Sequence, residues 1–383
     1  MNVPPPEAPD ALLVPSTDAT GAGAEPDIRF YDNQVPAFVE AELERLYQCL
    51  MTTVARFDAY KAAPNASTYV VREQGQVTAL FLFRRERYHV TVYNEQLAIP
   101  PAQINRFADA VFARYPSVWL ISFYAIDTNA GAIAYPLQRV ECLEDIRLAL
   151  PASADDYLSK LGKNTRAGIR YAHRQLLRDF PSFRFEFYSK GEVNERQLRQ
   201  VIAFNQARMH AKGQTSTYDD GGIEQLFQLV RQYGLVGVAT IESRVCAGAI
   251  CCRVGSHYHL CVLAHDSRYN LYQLGKLCCY FSIADAIERG CTHYHFGWGR
   301  FDYKFKMLGQ LKALHRIELY RSRPRMLQNA RRTVQISVAA GKRKLKQRIA
   351  DAELGRERSD RWIRSAAKLA RAARRLLRRR PRR

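Results

Sequence analysis

Residues 257–309 switch hydrophobic period twice within a short span, from strand to helix and back, and end in an unusual glycine-rich run. The first strand is His257-Tyr-His-Leu-Cys-Val-Leu-Ala264. A polar loop, His265 to Gln273, leads into a helix that opens Leu274-Gly275-Lys276, runs to Arg289 and is stopped by Gly290. A second strand, Thr292-His-Tyr-His-Phe296, then runs into Gly297-Trp-Gly-Arg-Phe-Asp-Tyr303-Lys304-Phe-Lys-Met-Leu-Gly309. A strand that feeds its carboxyl end into the amino end of a helix leaves backbone N–H groups unpaired and partly positive. Such a junction is a seat for phosphate oxygens, and Gly275 lets the backbone come close to them.

The rest of the chain repeats this order. Helical periodicity over Val35–Tyr60 is followed by three short strands (Thr68–Arg72, Val77–Phe83, Tyr88–Tyr93), a helix from Pro101 to Arg114 and an apolar strand, Val118–Ala125. The Pro-Pro start suits a helix amino end. Later come a helix at Ala154–Arg178, a strand at Phe183–Tyr188 and helices at Val193–Ala211 and Ile223–Tyr233. Three more strands follow (Leu235–Ile241, Arg244–Val254, His257–Ala264), with Gly255-Ser256 as a two-residue hairpin turn. Meander, helix, strand thus occurs twice. The expected fold is α/β with mixed sheets, in two similar halves at 28–150 and 151–320. The Pro-, Ala- and Gly-rich residues 1–27 are expected to be disordered, and 321–383 to form a basic helical tail.

Charge separates the tail from the body. Of 58 Lys and Arg, 23 lie in 321–383 against 4 acids, so the first 320 residues are near neutral (+2) and the tail carries +19 of the net +21. Apolar residues among the tail's cations suit a helix lying on anionic lipid, whereas arginine-rich segments also bind RNA. Nine cysteines, an odd number with no Cys-x-x-Cys, argue against a disulfide scaffold and for a reducing compartment. Residues 1–27 hold five acids and no Lys or Arg, unlike a signal peptide, and no apolar run approaches a membrane span. A cytoplasmic protein is expected, with any membrane contact peripheral.

The strand, glycine-opened helix and strand of 257–296 resemble the acyl-CoA half of a GNAT acetyltransferase. The closing Gly297-x-Gly299, Tyr303-Lys304 and Gly309 resemble CelD/BcsL-type acetyltransferases (BioF2-like acetyltransferase domain) of polysaccharide synthesis, relatives of the FemABX aminoacyl transferases. Lys163-x-x-Arg166-x-x-Ile169-Arg170 and Asn205–Gly213 are similar to segments of the same proteins. The chain departs from the usual GNAT loop at Tyr272 and Leu277, where Gln or Arg and a second small residue would stand.

The resemblance implies two tandem GNAT-like halves, with Asp266, Tyr272, Gln273, Leu274, Gly275 and Lys276 holding acyl-CoA, acetyl-CoA foremost, as co-substrate. It makes Lys304 the residue that stabilises the tetrahedral oxyanion, with Lys306 as its substitute, and Tyr303 a lining residue. A preorganised ammonium near a thioester carbonyl lowers the barrier. Bases available to deprotonate an acceptor are Asp266, His295 and Asp302, the last preferred for its place beside Tyr303-Lys304. Arg166, Arg170, Arg174 and Arg178 recur every four residues as one stripe. With Lys163 and Arg208, the stripe residues Arg166 and Arg170 are expected to contact an anionic acceptor, and Trp298 to face it. Cys291-x-His293-x-His295 lacks a fourth ligand at familiar spacing, so no metal is expected. The function expected is acyl transfer to an amine or hydroxyl of a sugar or lipid-linked glycan precursor in cell-envelope or exopolysaccharide synthesis. Two alternatives are an aminoacyl transferase using charged tRNA and a non-catalytic GNAT-like scaffold at the membrane.

Overall fold

Paired charges inside a sheet decide how this chain is assembled. The computed structural model describes residues 25–353. The first half runs β1 (Asp27–Tyr31), α1 (Val39–Tyr47), α2 (Val54–Ala59), β2 (Ser67–Glu73), β3 (Gln76–Arg85), β4 (His89–Val92), α3 (Pro101–Arg114), β5 (Leu120–Ile126) and β6 (Leu137–Ala149). The second runs α4 (Ala154–Lys160), α5 (Lys163–Asp179), β7 (Arg184–Ser189), α6 (Glu195–Ala211), α7 (Asp220–Tyr233), β8 (Gly234–Ile241), β9 (Arg244–Val254), β10 (His257–His265), α8 (Leu274–Glu288), β11 (His293–His295), α9 (Asp302–Lys306) and β12 (Gln310–Tyr320). Helices α10 (Arg323–Gln328) and α11 (Ala330–Glu353) follow.

All twelve strands join one mixed sheet, in the order β1-β2-β3-β4-β5-β12-β6-β11-β10-β9-β8-β7. The expected repeat is present: an antiparallel meander, a crossover helix and a parallel return occur as β2-β3-β4-α3-β5 and as β8-β9-β10-α8-β11. The α/β architecture with mixed pairing is as the sequence implied. The centre was not expected. β6, from the first half, pairs with β11 of the second, while β12, from the second, pairs with β5 of the first. β6 and β12 also pair with each other from Gln310↔Arg147 to Leu319↔Leu137. Each half therefore closes with a strand from the other.

Neither seam strand shows a hydrophobic period, because each keeps acids inside. Glu144, Asp145 and Glu318 are buried. Glu318 meets Arg316, Arg332 and Ser122, while Glu144 meets Arg300 and Arg343. β1 also went unrecognised; its side chains are largely exposed.

Two long helices expected from periodicity are broken. Val35–Tyr60 divides into α1 and α2 because Gln48 turns left-handed (φ 48°) and the Thr53 side chain caps a new start by accepting from Arg56 N. Ala154–Arg178 breaks at Leu161, which is extended, and Gly162 opens α5. Of the expected tail, 354–383 lie outside the described residues, as do 1–24 of the expected disordered segment. The described part is not simply appended. Arg321 donates to the carbonyls of Phe112, Tyr115 and Val118, and α11 lies against β6 through Arg343, Gln347 and Gln138.

The halves are bolted together beside the β9–β10 hairpin. Gly255 is left-handed (φ 58°), and a Cβ there would meet the Gln48 side chain at 2.6 Å. Gln48 Oε1 accepts from Ser256 N at 2.7 Å, and its carbonyl lies 3.3 Å from His259 Nε2.

Candidate active site

Strands β10 and β11 pair only from His257↔His293 to His259↔His295. Beyond that point they part. β10 continues to His265, while the chain after His295 turns away through left-handed Gly297 (φ 67°) and Gly299 (φ 90°). The backbone of Leu260–His265 therefore has no strand beside it on that edge. On its other edge the ladder to β9 is bulged at Cys261, between Leu260 and Val262, which leaves that residue without a cross-strand partner.

The open edge leads to the start of α8. Amides of Leu274 and Gly275 lie in the first turn, where no preceding helical carbonyl reaches them. A Cβ on Gly275 would stand 3.2 Å from His265 Nδ1, a buried nitrogen with no hydrogen-bond partner. The other ring nitrogen of His265 is 2.9 Å from Asn270 Oδ1. Lys276 reaches Gln273 Oε1, and burial together with the charge of Lys306 lowers its ammonium's proton affinity. Two ammonium groups thus flank this helix start.

At the opposite end of the parting lies a cavity of about 450 Å³ between the halves. Arg56, Glu95 and Tyr124 come from the first half, Tyr218, His259 and Trp298 from the second, and Asp145 and His295 close its floor. His295 Nδ1 donates to Asp145 Oδ2 at 2.7 Å. Burial alone would raise the Asp145 carboxyl, but the His295 hydrogen bond and charge outweigh it and hold it low. Burial pushes the Glu95 carboxyl up.

The expected catalytic residues are divided by the fold. Lys304 is 2 % exposed, and its ammonium donates to the carbonyls of Gly297 (3.0 Å) and Trp298 (2.6 Å). It holds from behind the loop that forms the cavity rim, and burial lowers it to about 8. Gly309 ends this turn because a Cβ would meet Ile146 at 2.7 Å and the Lys304 carbonyl at 2.8 Å. Tyr303 packs into the core of the second half, its phenol raised by burial and lowered in turn by the charge of Arg208. Arg208 and Tyr303 are thus near each other. Trp298 is exposed on the rim. Asp302 is half exposed and pairs with Lys306 at 2.7 Å, away from the cavity lining.

Among the expected donor-binding residues, Gly275 and Lys276 stand at the helix entrance with Gln273 as its cap. Leu274 is in the core. Tyr272 turns to α5, donating to Asp179 and packing on Phe180. Asp266 caps the turn at Ser267–Tyr272 and pairs with Arg268. Lys163, Arg166, Arg170 and Arg174 line a depression of about 520 Å³ along α5, separate from the central cavity. That depression adjoins α8, since its lining residue His173 packs on Phe281 of α8, ring centroids 5.3 Å apart.

Sequence reasoning passed over Asp145, His257 and His259. Asp145 lies on the unrecognised β6. The alternation of His257 with His259 was legible, but not the register that sets them beside His295. The Cys291-His293-His295 trio considered as a zinc set is not the one brought together.

Residues 163–305 match the family model described as an acetyltransferase (GNAT) domain. No curated protein sequence matches the chain. Among solved structures, the crystal structure of FemX is 12% identical with a TM-score of 0.59, covering 78% of this chain and 98% of that one. The structure of L-PGS from Bacillus licheniformis is 13% identical, TM-score 0.47, covering 82% and 98%. A tandem GNAT protein from the clavulanic acid biosynthesis pathway is 9% identical, TM-score 0.38, covering 77% and 98%. The FemX likeness spans both halves, so the two-half fold is shared with it. Residues 163–305 thus form a GNAT-type acyltransferase domain, set within that fold.

Proposed function

We propose that this enzyme transfers an acyl group, acetyl foremost, from acyl-CoA to an amine or hydroxyl of a sugar or lipid-linked glycan precursor, in the manner of CelD/BcsL-type acetyltransferases of envelope or exopolysaccharide synthesis. The observation that carries this reading is the parting of β10 and β11, which joins the α8 start to the central cavity. An extended, amide-bearing arm suits the unpaired edge of Leu260–His265, by the logic of strand addition. A diphosphate suits the first-turn amides, the unpartnered His265 Nδ1 beside Gly275, and the ammonium groups of Lys276 and Lys306. Bound there, acyl-CoA would supply an activated thioester carbonyl.

This chain's own residues would do the rest. Tyr60, Tyr124, Tyr218 and Trp298 offer ring faces to a sugar, with Arg56 and Glu95 between them. Lys304 would keep the Gly297–Trp298 rim in place and set positive charge behind it. The acceptor's proton would leave toward the His295 side of the floor, where Asp145 orients the ring. Asp302 and Lys306, paired on the surface, are poorly placed for either role. Arg166 and Arg170 would meet the donor's phosphates or an acceptor's, beside α8.

Gly275→Glu should weaken acetyl-CoA binding at least tenfold in calorimetry while leaving the melting temperature near that of the parent. Unchanged affinity would detach the helix start from the donor. The strongly basic 321–383 segment favours a second reading, an aminoacyl-tRNA donor. Salt-sensitive tRNA retention, with no acyl-CoA signal, would establish it instead.

Helix α11 suits the anionic membrane surface expected for the tail. Val334, Val338 and Leu345 are exposed among exposed Lys342, Lys344, Lys346 and Arg348. No helix of the described residues is long and apolar enough to cross a membrane; the contact proposed is peripheral, at the cytoplasmic face, and rests on these exposed side chains. Val338→Glu with Leu345→Glu should abolish co-sedimentation with phosphatidylglycerol vesicles; persistent binding would assign the contact elsewhere.

A further inference from the structure

The parallel ladder of β10 and β11 lines up four imidazoles on one sheet face, His257 opposite His293 and His259 opposite His295. Three of them converge. One ring nitrogen each from His257, His259 and His295 lies within 4.8 Å of the other two. The ring centroids of His259 and His295 are 4.4 Å apart, and those of His257 and His295 5.1 Å.

Two outward contacts set which nitrogens face inward. His295 directs its Nδ1 to Asp145, so Nε2 is the nitrogen left facing His257 Nδ1, 3.1 Å away. His259 Nε2 lies 3.3 Å from the Gln48 carbonyl, an acceptor only, which leaves its Nδ1 as a lone pair. Two nitrogens on one tetrahedral ion, each at 2.0–2.1 Å, stand about 3.3 Å apart, close to the His257–His295 separation. A histidine whose other nitrogen is held by a carboxylate is the usual arrangement behind a metal ligand.

We propose that His257, His259 and His295 bind one divalent transition-metal ion, zinc foremost, with a fourth position open to the central cavity that His259 and His295 line. Imidazoles without a thiolate suit zinc, copper or nickel rather than calcium or magnesium. Three histidines with an open fourth position are the donor set of a catalytic rather than a structural zinc site.

The test uses full-length protein carrying no affinity tag. Elemental analysis after purification without chelator should find about one equivalent of metal per chain. Zinc titrated into chelator-stripped protein should bind once, weakened at least a hundredfold in His257→Ala and His295→Ala and tenfold or more in Asp145→Asn. Cobalt in the unmutated protein should give tetrahedral absorption bands without thiolate charge transfer, a readout that survives any misfolding of the variants. Absence of zinc binding, equal binding by correctly folded variants, or a thiolate band from the buried cysteines would overturn the proposal. Acetyl-CoA affinity of the stripped protein reports separately on the donor site, so either conclusion can fail without the other.

Discussion

Lys304 ends in two carbonyls rather than in solvent or on a carboxylate, and that placement has a measurable consequence. Its buried ammonium loses its proton at about 8 in the folded chain, against about 10.4 for a free lysine. Below pH 8 both states are charged, and the folded one bears the cost of burial. Between those values the unfolded chain binds the proton and the folded chain does not, so stability rises with pH. Relative to Lys304→Met, the parent should gain roughly 2 kcal/mol between about pH 7.5 and 9.5 in urea unfolding. A flat difference would show that the ammonium is not desolvated. Gly255 is a second residue-scale case. Its left-handed backbone and the Gln48 side chain at 2.6 Å leave no room for a Cβ. Gly255→Ala should cost about 2 kcal/mol or more, read as a lowered urea midpoint, whereas Gly75→Ala, equally left-handed but with nothing within 4 Å, should cost less.

At the scale of elements, legibility followed burial pattern. α3 was read to the residue from Pro101 to Arg114 because one face is apolar and the Pro-Pro start is unambiguous. β8, β9 and β10 were read to within a residue, being nearly continuous apolar runs. β6 and β12 were not, because Glu144 and Glu318 sit inside and find their arginines on distant segments. The same pairing attaches α11. Arg343 and Gln347 both donate to the buried Glu144 carboxylate, at 2.8 and 2.6 Å. Arg343→Ala with Gln347→Ala should destabilise by roughly 2 kcal/mol or more and open α11 to limited proteolysis. Lys342→Ala with Lys346→Ala, both exposed, should change stability by no more than about 0.5 kcal/mol. If both pairs behave alike, α11 is not held by that carboxylate.

For the whole molecule, the exchange of β6 and β12 joins the halves through the middle of one sheet. A chain cut after residue 150 would leave β5 without β12, and β11 without β6. Neither fragment should give a sharp thermal transition alone, and the intact protein should unfold in one step; two resolved transitions would show that the seam is weak. Local sequence was enough for the α/β class, the repeated meander-helix-strand unit and the start of α8 at Leu274, since period and turn chemistry act over a few residues. Tertiary structure alone decided which strands cross between halves, which carboxylate orients His295, and that Lys304 turns inward while Asp302 turns out. Those outcomes rest on register and on charge pairs far apart in the chain, such as Asp145 with His295, and a buried charge is tolerated only where the completed fold brings it a partner.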